Sequence, residues 1–141
     1  MAHLHSHKKG FTILELLVVM ALVSIVLSII IVSTTGLKTK ARDTTRLSHM
    51  NEIVTALNLY YTNHGRFPIA TSEITITSDD IMSVELEGDE VIQQTPTDPS
   101  HPTFTYRYIS DSLGLDYILT FCLETDTIQG YNKGCENALR P

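Results

Sequence analysis

From Phe11 to Val32 the chain holds 22 residues in which Glu15 is the sole ionisable group, and no other stretch resembles this run. At about 1.5 Å per residue it makes a helix of roughly 33 Å, enough to cross a hydrocarbon core about 30 Å thick. Whatever else folds must be arranged around a segment suited to a membrane. A cleaved secretory signal has a shorter apolar core, about 7–15 residues, closed by a small-residue A-x-A site. "IIIVSTTGLK" offers no such site, and no cysteine lies near it to take a lipid, so the segment is expected to be retained. The 141 residues, 43% hydrophobic and 18% charged, leave room for one domain with a core beside this appendage, not for two.

Orientation does not follow from charge counting. Lys8 and Lys9 precede the run while Lys38, Lys40, Arg42 and Arg46 follow it, so the positive-inside rule favours neither end clearly. Cys122 and Cys135 are the only cysteines. A disulfide between them would put the C-terminal part in an oxidising compartment, whereas two free thiols would leave the side open. Two cysteines at this spacing, with no histidine beside them, supply too few ligands for a structural metal.

A carboxylate at the membrane centre costs on the order of 3 kcal/mol, less near the end of a span. Such a group needs a partner, and no Lys, Arg or His occurs from Phe11 to Leu37. A charged partner for Glu15 must come from another molecule or from a newly made N-terminal amine. The plainer alternative is a glutamate snorkelling to the head groups from the first turn of the helix.

"KKGFTILELLVVMALVSIVLSII" resembles the class III signal of type IV pilins and type II secretion pseudopilins: a basic leader, a glycine, a phenylalanine, and a glutamate five residues after the glycine. The resemblance implies that a prepilin peptidase cuts between Gly10 and Phe11 on the cytoplasmic face and methylates the Phe11 amine. Glu15 would then pair with the Phe11 amine of a neighbouring subunit as a homopolymer grows on an inner-membrane assembly platform. It also implies the type IV pilin fold, an α+β architecture with a long N-terminal helix and a small antiparallel β-sheet head. His3, His5 and His7 alternate in the leader and could bind a metal weakly; a short polar leader lost on cleavage explains them equally well, and they are assigned no role.

Beyond the apolar run, Leu37, Ala41, Leu47, Met50, Val54, Leu57 and Tyr61 recur near helical spacing, while Lys40, Arg42, Asp43 and Glu52 fall mainly elsewhere. This predicts an amphipathic continuation that stops at "NHGRFP", where Gly65 takes a left-handed cap and Pro68 ends the helix. From Phe11 to Thr62 the helix counts 52 residues, about 78 Å. The expected organisation is a leader over 1–10, a membrane or filament-core half over 11–32, an amphipathic half over 33–64 and a head over 65–141. Many members of the family the chain resembles carry a proline near the position that Val32 holds here; none occurs between Phe11 and Phe67, and Gly36 is the weakest point of the helix.

In the connecting region, Ser78 followed by Asp79 and Asp80 can cap a short helix, and "ITIT" can form a short strand. Glu73, Asp79, Asp80, Glu85, Glu87, Asp89 and Glu90 are uncompensated by local Lys or Arg, as a solvated loop face, a cation site or an acidic contact surface would be. "TPTDPSHP" is a turn-rich joint, and its Asp98 resembles the P-x-D-P joint before the sheet of major pseudopilins. Phe104, Tyr106 and Tyr108 alternate in one predicted strand, and Tyr117, Leu119, Phe121 and Leu123 in a second, with "DSLG" as the hairpin link. These aromatics are expected to lie half-buried against the helix.

Some similar pseudopilins bind calcium in their C-terminal loops. Asp111, Asp116, Asp126 and Asn132 are conceivable oxygen ligands here, but no acidic run supplies the six to eight oxygens calcium takes, so no cofactor is expected. Phosphate-loop, H-E-x-x-H and G-x-S-x-G patterns are absent. His49, His64 and His101 stand apart from any nucleophile, as surface or helix-end residues do, and no enzyme is expected. Leaving out Lys8, Lys9 and Glu15, the chain carries 8 Lys and Arg against 15 Asp and Glu, which disfavours general DNA binding by the head. The expected function is a structural filament subunit, of a pilus or of a secretion pseudopilus. The alternative is an anchored binding module that never polymerises.

Overall fold

The computed structural model describes residues 10–141, with the backbone alone over 29–35. His3, His5, His7, Lys8 and Lys9 lie outside the described residues. The chain divides into two compact units, Met1–Leu37 and Lys38–Pro141.

Helix α1 runs from Ile13 to His64, 52 residues, and is helical through Gly36. Its start is written in "TILE". The Glu15 N–H donates to Thr12 Oγ1 at 3.2 Å, and Glu15 Oε2 accepts from the Thr12 N–H and hydroxyl, each at 3.0 Å. This reciprocal arrangement is a capping box, which satisfies donors that the first helical turn leaves without partners. The end is as expected from sequence: Gly65 adopts φ +69° and its N–H closes on the Tyr61 carbonyl at 2.7 Å.

In the second unit, α1 is followed by β1 (Ile74–Thr75), α2 (Ile81–Gly88), β2 (Arg107–Ser110), β3 (Tyr117–Leu123) and β4 (Gly134–Leu139). The strands form one antiparallel sheet in the order β1-β2-β3-β4. Tyr108 sits opposite Leu119 and Ser110 opposite Tyr117, while an irregularity between Phe121 and Leu123 shifts the β3–β4 register. Asp80, not Ser78, caps α2: its carboxylate accepts from the Ser83 N–H at 3.0 Å. Ser78 instead takes a left-handed φ of 69°. "ITIT" does supply a strand, of two residues.

The core joins Met50, Ile53, Leu57 and Tyr60 of α1 to Tyr106, Tyr108, Tyr117, Leu119 and Phe121 of the sheet side and to Met82 and Leu86 of α2. Tyr106, Tyr108 and Tyr117 are fully buried, not half-buried, because they share one core with side chains of both α1 and α2. The helix face differs from the predicted stripe. Leu37 (61%) and Tyr61 (39%) are exposed, as is Ala41, and Leu47 and Val54 are half-buried. The face turned inward is Asp43, Arg46, Met50, Ile53, Leu57 and Tyr60, spaced alternately by three and four residues. The two charges, which read as polar in sequence, occupy its first two positions.

Candidate functional site

Two places carry the chemistry. The first is the start of α1. Gly10 and Phe11 precede the helix, both exposed, Phe11 by 82%. Glu15 is the only acid of the first turn, and its carboxylate is held by Thr12 through the capping box. The sequence reading looked for a charged partner and missed this neutral one, although S/T-x-x-E is a legible signature. Thr12 satisfies hydrogen bonds without cancelling the charge. From Ile13 to Leu27 the helix exposes nearly all of its large apolar side chains. Among the described residues no helix is long and apolar enough to cross a membrane.

The second place is a buried charge network built around Arg46. One turn of α1 sets Asp43 and Arg46 side by side, with Arg46 Nη1 2.8 Å from Asp43 Oδ1. Arg46 Nε donates to Asp98 Oδ2 at 2.7 Å and Nη2 to Asp98 Oδ1 at 3.1 Å, a two-point grip on the joint before the sheet. The remaining N–H groups reach Glu124 Oε1 at 2.8 Å and Ser100 Oγ at 3.2 Å. All five guanidinium donors therefore have acceptors, which is what makes a fully buried arginine tolerable. The Phe104 ring lies 5.0 Å from the Arg46 guanidinium carbon. Asp43 accepts in turn from the N–H groups of Glu124 and Thr125, each at 2.9 Å, and from the Thr125 hydroxyl at 2.6 Å. Arg42 pairs with Glu124 at the partly exposed rim.

These contacts set the protonation states. Burial pushes the Asp43 carboxyl up, but the bonds from Glu124, Thr125 and Arg46 together outweigh it and hold the group below its ordinary value. The Arg42 guanidinium, helped by Arg46 and opposed by burial, lowers Glu124 to about 2. Arg46 is raised: burial disfavours its charge, and the bonds it donates to Asp98, Glu124 and Asp43 more than reverse that. Each of the network's carboxylates is engaged by a guanidinium, an N–H or a hydroxyl. It ties α1, the 98–100 joint and the end of β3 into one piece. Sequence reading named Asp98 only as part of a joint and missed Arg46 and Glu124, since partners 52 and 78 positions away leave no local pattern.

Other expected residues fall into structural roles. Cys122 and Cys135 form a disulfide that joins β3 to β4. Asp111 Oδ1 accepts from the Leu115 and Asp116 N–H groups, at 2.6 and 3.1 Å, and Asp126 Oδ1 from the Lys133 N–H at 2.6 Å. The Asn132 N–H donates to Asn137 Oδ1 at 3.1 Å, and Asp116 Oδ1 accepts from the Tyr117 N–H at 2.8 Å. The four conceivable calcium ligands thus each build a turn or strand end. Among the described residues no group of three or more His, Cys, Asp or Glu could hold a metal ion. His49 is not a free surface group: its Nδ1 lies 3.1 Å from the Tyr106 hydroxyl. His64 stands at the helix end and stacks on Tyr60, and His101 is exposed beside Pro102.

The acidic segment is likewise partly absorbed by the fold. Glu73 pairs with Arg107, Glu85 accepts from the Tyr60 hydroxyl at 2.6 Å, and Glu87 accepts from the Thr95 N–H at 2.7 Å.

No curated protein and no solved structure matches the chain. One family model does: the prokaryotic N-terminal methylation motif, over residues 5–31. That interval contains Gly10, Phe11, the Thr12–Glu15 capping box and the apolar face of α1 described above. At its N-terminus the chain therefore carries the class III signal of type IV pilins and pseudopilins.

Proposed function

We propose that this protein is a structural subunit of a type IV pilus or a related filament, made as a precursor, cleaved after Gly10 and polymerised through α1. The observation that carries the proposal is the methylation motif over residues 5–31. In this reading residues 1–10 are the leader, and the run Phe11–Val32 anchors the subunit in the inner membrane before assembly and enters the filament core afterwards. Residues 33–64 carry the head, 65–141, outside the cytoplasm. The Cys122–Cys135 disulfide suits that side, where oxidising conditions preserve it.

Prepilin peptidase and an inner-membrane assembly platform are the partners the signal calls for. Glu15 is the only acid from Phe11 to Leu37, and among the described residues its carboxylate is hydrogen-bonded by Thr12. Cleavage would create an α-amine at Phe11. Pairing that amine with Glu15 of a neighbour would cancel the charge and fix subunit register, while Thr12 keeps the carboxylate oriented. The acidic remainder of the chain suits a filament coat better than a general DNA-binding surface.

Intact and N-terminal mass spectrometry of protein from membranes and from sheared surface material tests this. A chain beginning at methylated Phe11 is expected in both fractions. A chain that still begins at Met1, in cells with active prepilin peptidase, would move the non-polymerising anchored module to first place.

A further inference from the structure

The second unit keeps unpaired charges of opposite sign on different parts of its surface. Near the start of its share of α1, Lys38 and Lys40 are exposed, and neither forms an ion pair among the described residues. Ala41 is exposed beside them, and Leu37, the residue just before in the chain, is 61% exposed. Leu37 and Ala41 belong to the predicted apolar stripe, yet the fold leaves both uncovered.

Farther along, a groove of about 460 Å³ between α1 and the segment after α2 is lined by Glu52, Ala56, Val91 and Ile92. A neighbouring recess of about 380 Å³ shares Ile92 with it and adds Glu87 and Glu90. The two share Ile92 and Gln93, so Glu52 on one side and Glu87 and Glu90 on the other flank a stretch that contains Ala56, Val91 and Ile92. Glu52 and Glu90 have no ion-pair partner among the described residues. Glu90 also adopts φ +56° just past the end of α2, where glycine or asparagine is the ordinary occupant. A glutamate kept in a strained, exposed position at a groove is an outlier that invites a functional account.

We propose that this acidic groove receives the Lys38–Ala41 face of α1 from a second copy of the chain, its lysines meeting Glu52, Glu87 and Glu90 beside Ala56, Val91 and Ile92. The proposal rests on the filament reading above and names a head contact within it. Charge complementarity selects the occupant. Donor and acceptor are different surfaces of the same chain, so the contact is heterologous, and repeating it builds an open helical polymer instead of a closed dimer. It also gives the exposed stripe residues Leu37 and Ala41 a place to be buried.

Charge exchange in the full-length chain, read as filament recovered by shearing, tests the contact. Lys38→Glu with Lys40→Glu, or Glu52→Lys with Glu90→Lys, is expected to lower recovery about tenfold, and the four changes together to restore it to within about twofold. All four residues are exposed, and unchanged precursor level in the membrane checks that folding is intact. In wild-type filaments a zero-length carbodiimide should join Lys40 to Glu52. These lie twelve positions apart on one helix, about 18 Å, so such a link has to bridge two subunits. If wild-type filaments form and the exchanges have no effect, or the combined variant is not restored, the contact is wrong and the filament reading stands. A wild-type chain that is never cleaved or polymerised overturns both.

Discussion

Arg46→Ala removes a guanidinium whose five donors all have acceptors, and it leaves the fully buried carboxylates of Asp43 and Asp98 without a cation between them. Arg42 cannot take over, because it already grips Glu124 from the rim. Losing one partner of a buried charged network costs about 3–5 kcal/mol, chiefly the desolvation of the charges left behind. For a unit the size of Lys38–Pro141, each kcal/mol moves the thermal midpoint by about 4 °C, so a fall of roughly 12–20 °C is expected. The assay is thermal unfolding of the full chain in detergent micelles, followed by near-ultraviolet circular dichroism. Tyr106, Tyr108 and Tyr117 report core packing in that signal, since they are buried and the chain has no tryptophan. Arg42→Ala is the internal comparison. Its side chain is 33% exposed, and an ion pair of that kind contributes about 1 kcal/mol or less. Equal midpoints for the two variants, or a loss below about 1 kcal/mol for Arg46→Ala, would refute the claim that the buried network holds the head to the helix.

Acid should act on the same network: Asp43 and Glu124 have lowered folded-state values, so their contribution is complete above the ordinary carboxylate range. The midpoint should stay level from neutral pH to about 5, then fall as Glu124 titrates between 4.5 and about 2; a decline centred near pH 6 would point to other groups. Reducing the Cys122–Cys135 bridge, or replacing both cysteines by alanine, should cost about 3 kcal/mol on the chain-entropy model, seen as a midpoint shift with reductant. Gly114→Ala should destabilise by about 2 kcal/mol or more, measured by the same unfolding: φ there is +67°, and a Cβ would stand 2.6 Å from the Phe67 carbonyl oxygen. At the helix start, Glu15→Gln preserves a capping box while Glu15→Ala abolishes it, and neither keeps the charge. If both lose incorporation into filaments alongside wild-type subunits, charge is what assembly uses, whereas normal incorporation of Glu15→Gln would reduce Glu15 to a cap.

Local chemistry was legible in the sequence and distant pairing was not. The α1 end at Gly65, the β2–β3 hairpin and the inward stripe of Tyr117, Leu119, Phe121 and Leu123 follow from glycine, proline and period-two signals a few residues long. β4 was missed because "GCENAL" has no alternation of its own. Its conformation depends on pairing with β3 and on the bridge from Cys122. The acidic segment looked uniform, yet Glu85 and Glu87 are placed by Tyr60 and Thr95, residues outside it. At the N-terminus, the Thr12–Glu15 capping box is a pattern three residues long and as local as the glycine and proline signals.

The misread face of α1 shows what the charges add. Met50, Ile53, Leu57 and Tyr60 form an apolar strip that repeats with the helix, and they meet a sheet face rich in aromatic side chains. Contacts of that kind discriminate weakly between neighbouring alignments, because hydrophobic attraction is non-directional. Arg46 discriminates strongly. A slip of one turn moves it about 5.4 Å, which breaks its bonds to Asp98 and Glu124 together and separates Asp43 from the Thr125 hydroxyl. The slipped state would keep much of the apolar burial but contain several uncompensated charges in a water-poor interior, at a cost of several kcal/mol. A polar residue at an otherwise apolar position can select one register even where it does not maximise stability. For a subunit proposed to polymerise through the same helix, that selection matters beyond the monomer. Within the second unit, the proposed Lys38–Ala41 face lies on the same stretch of α1 as Arg46, the groove is formed with the segment after α2, and the Arg46 network keeps that stretch and the sheet in one alignment.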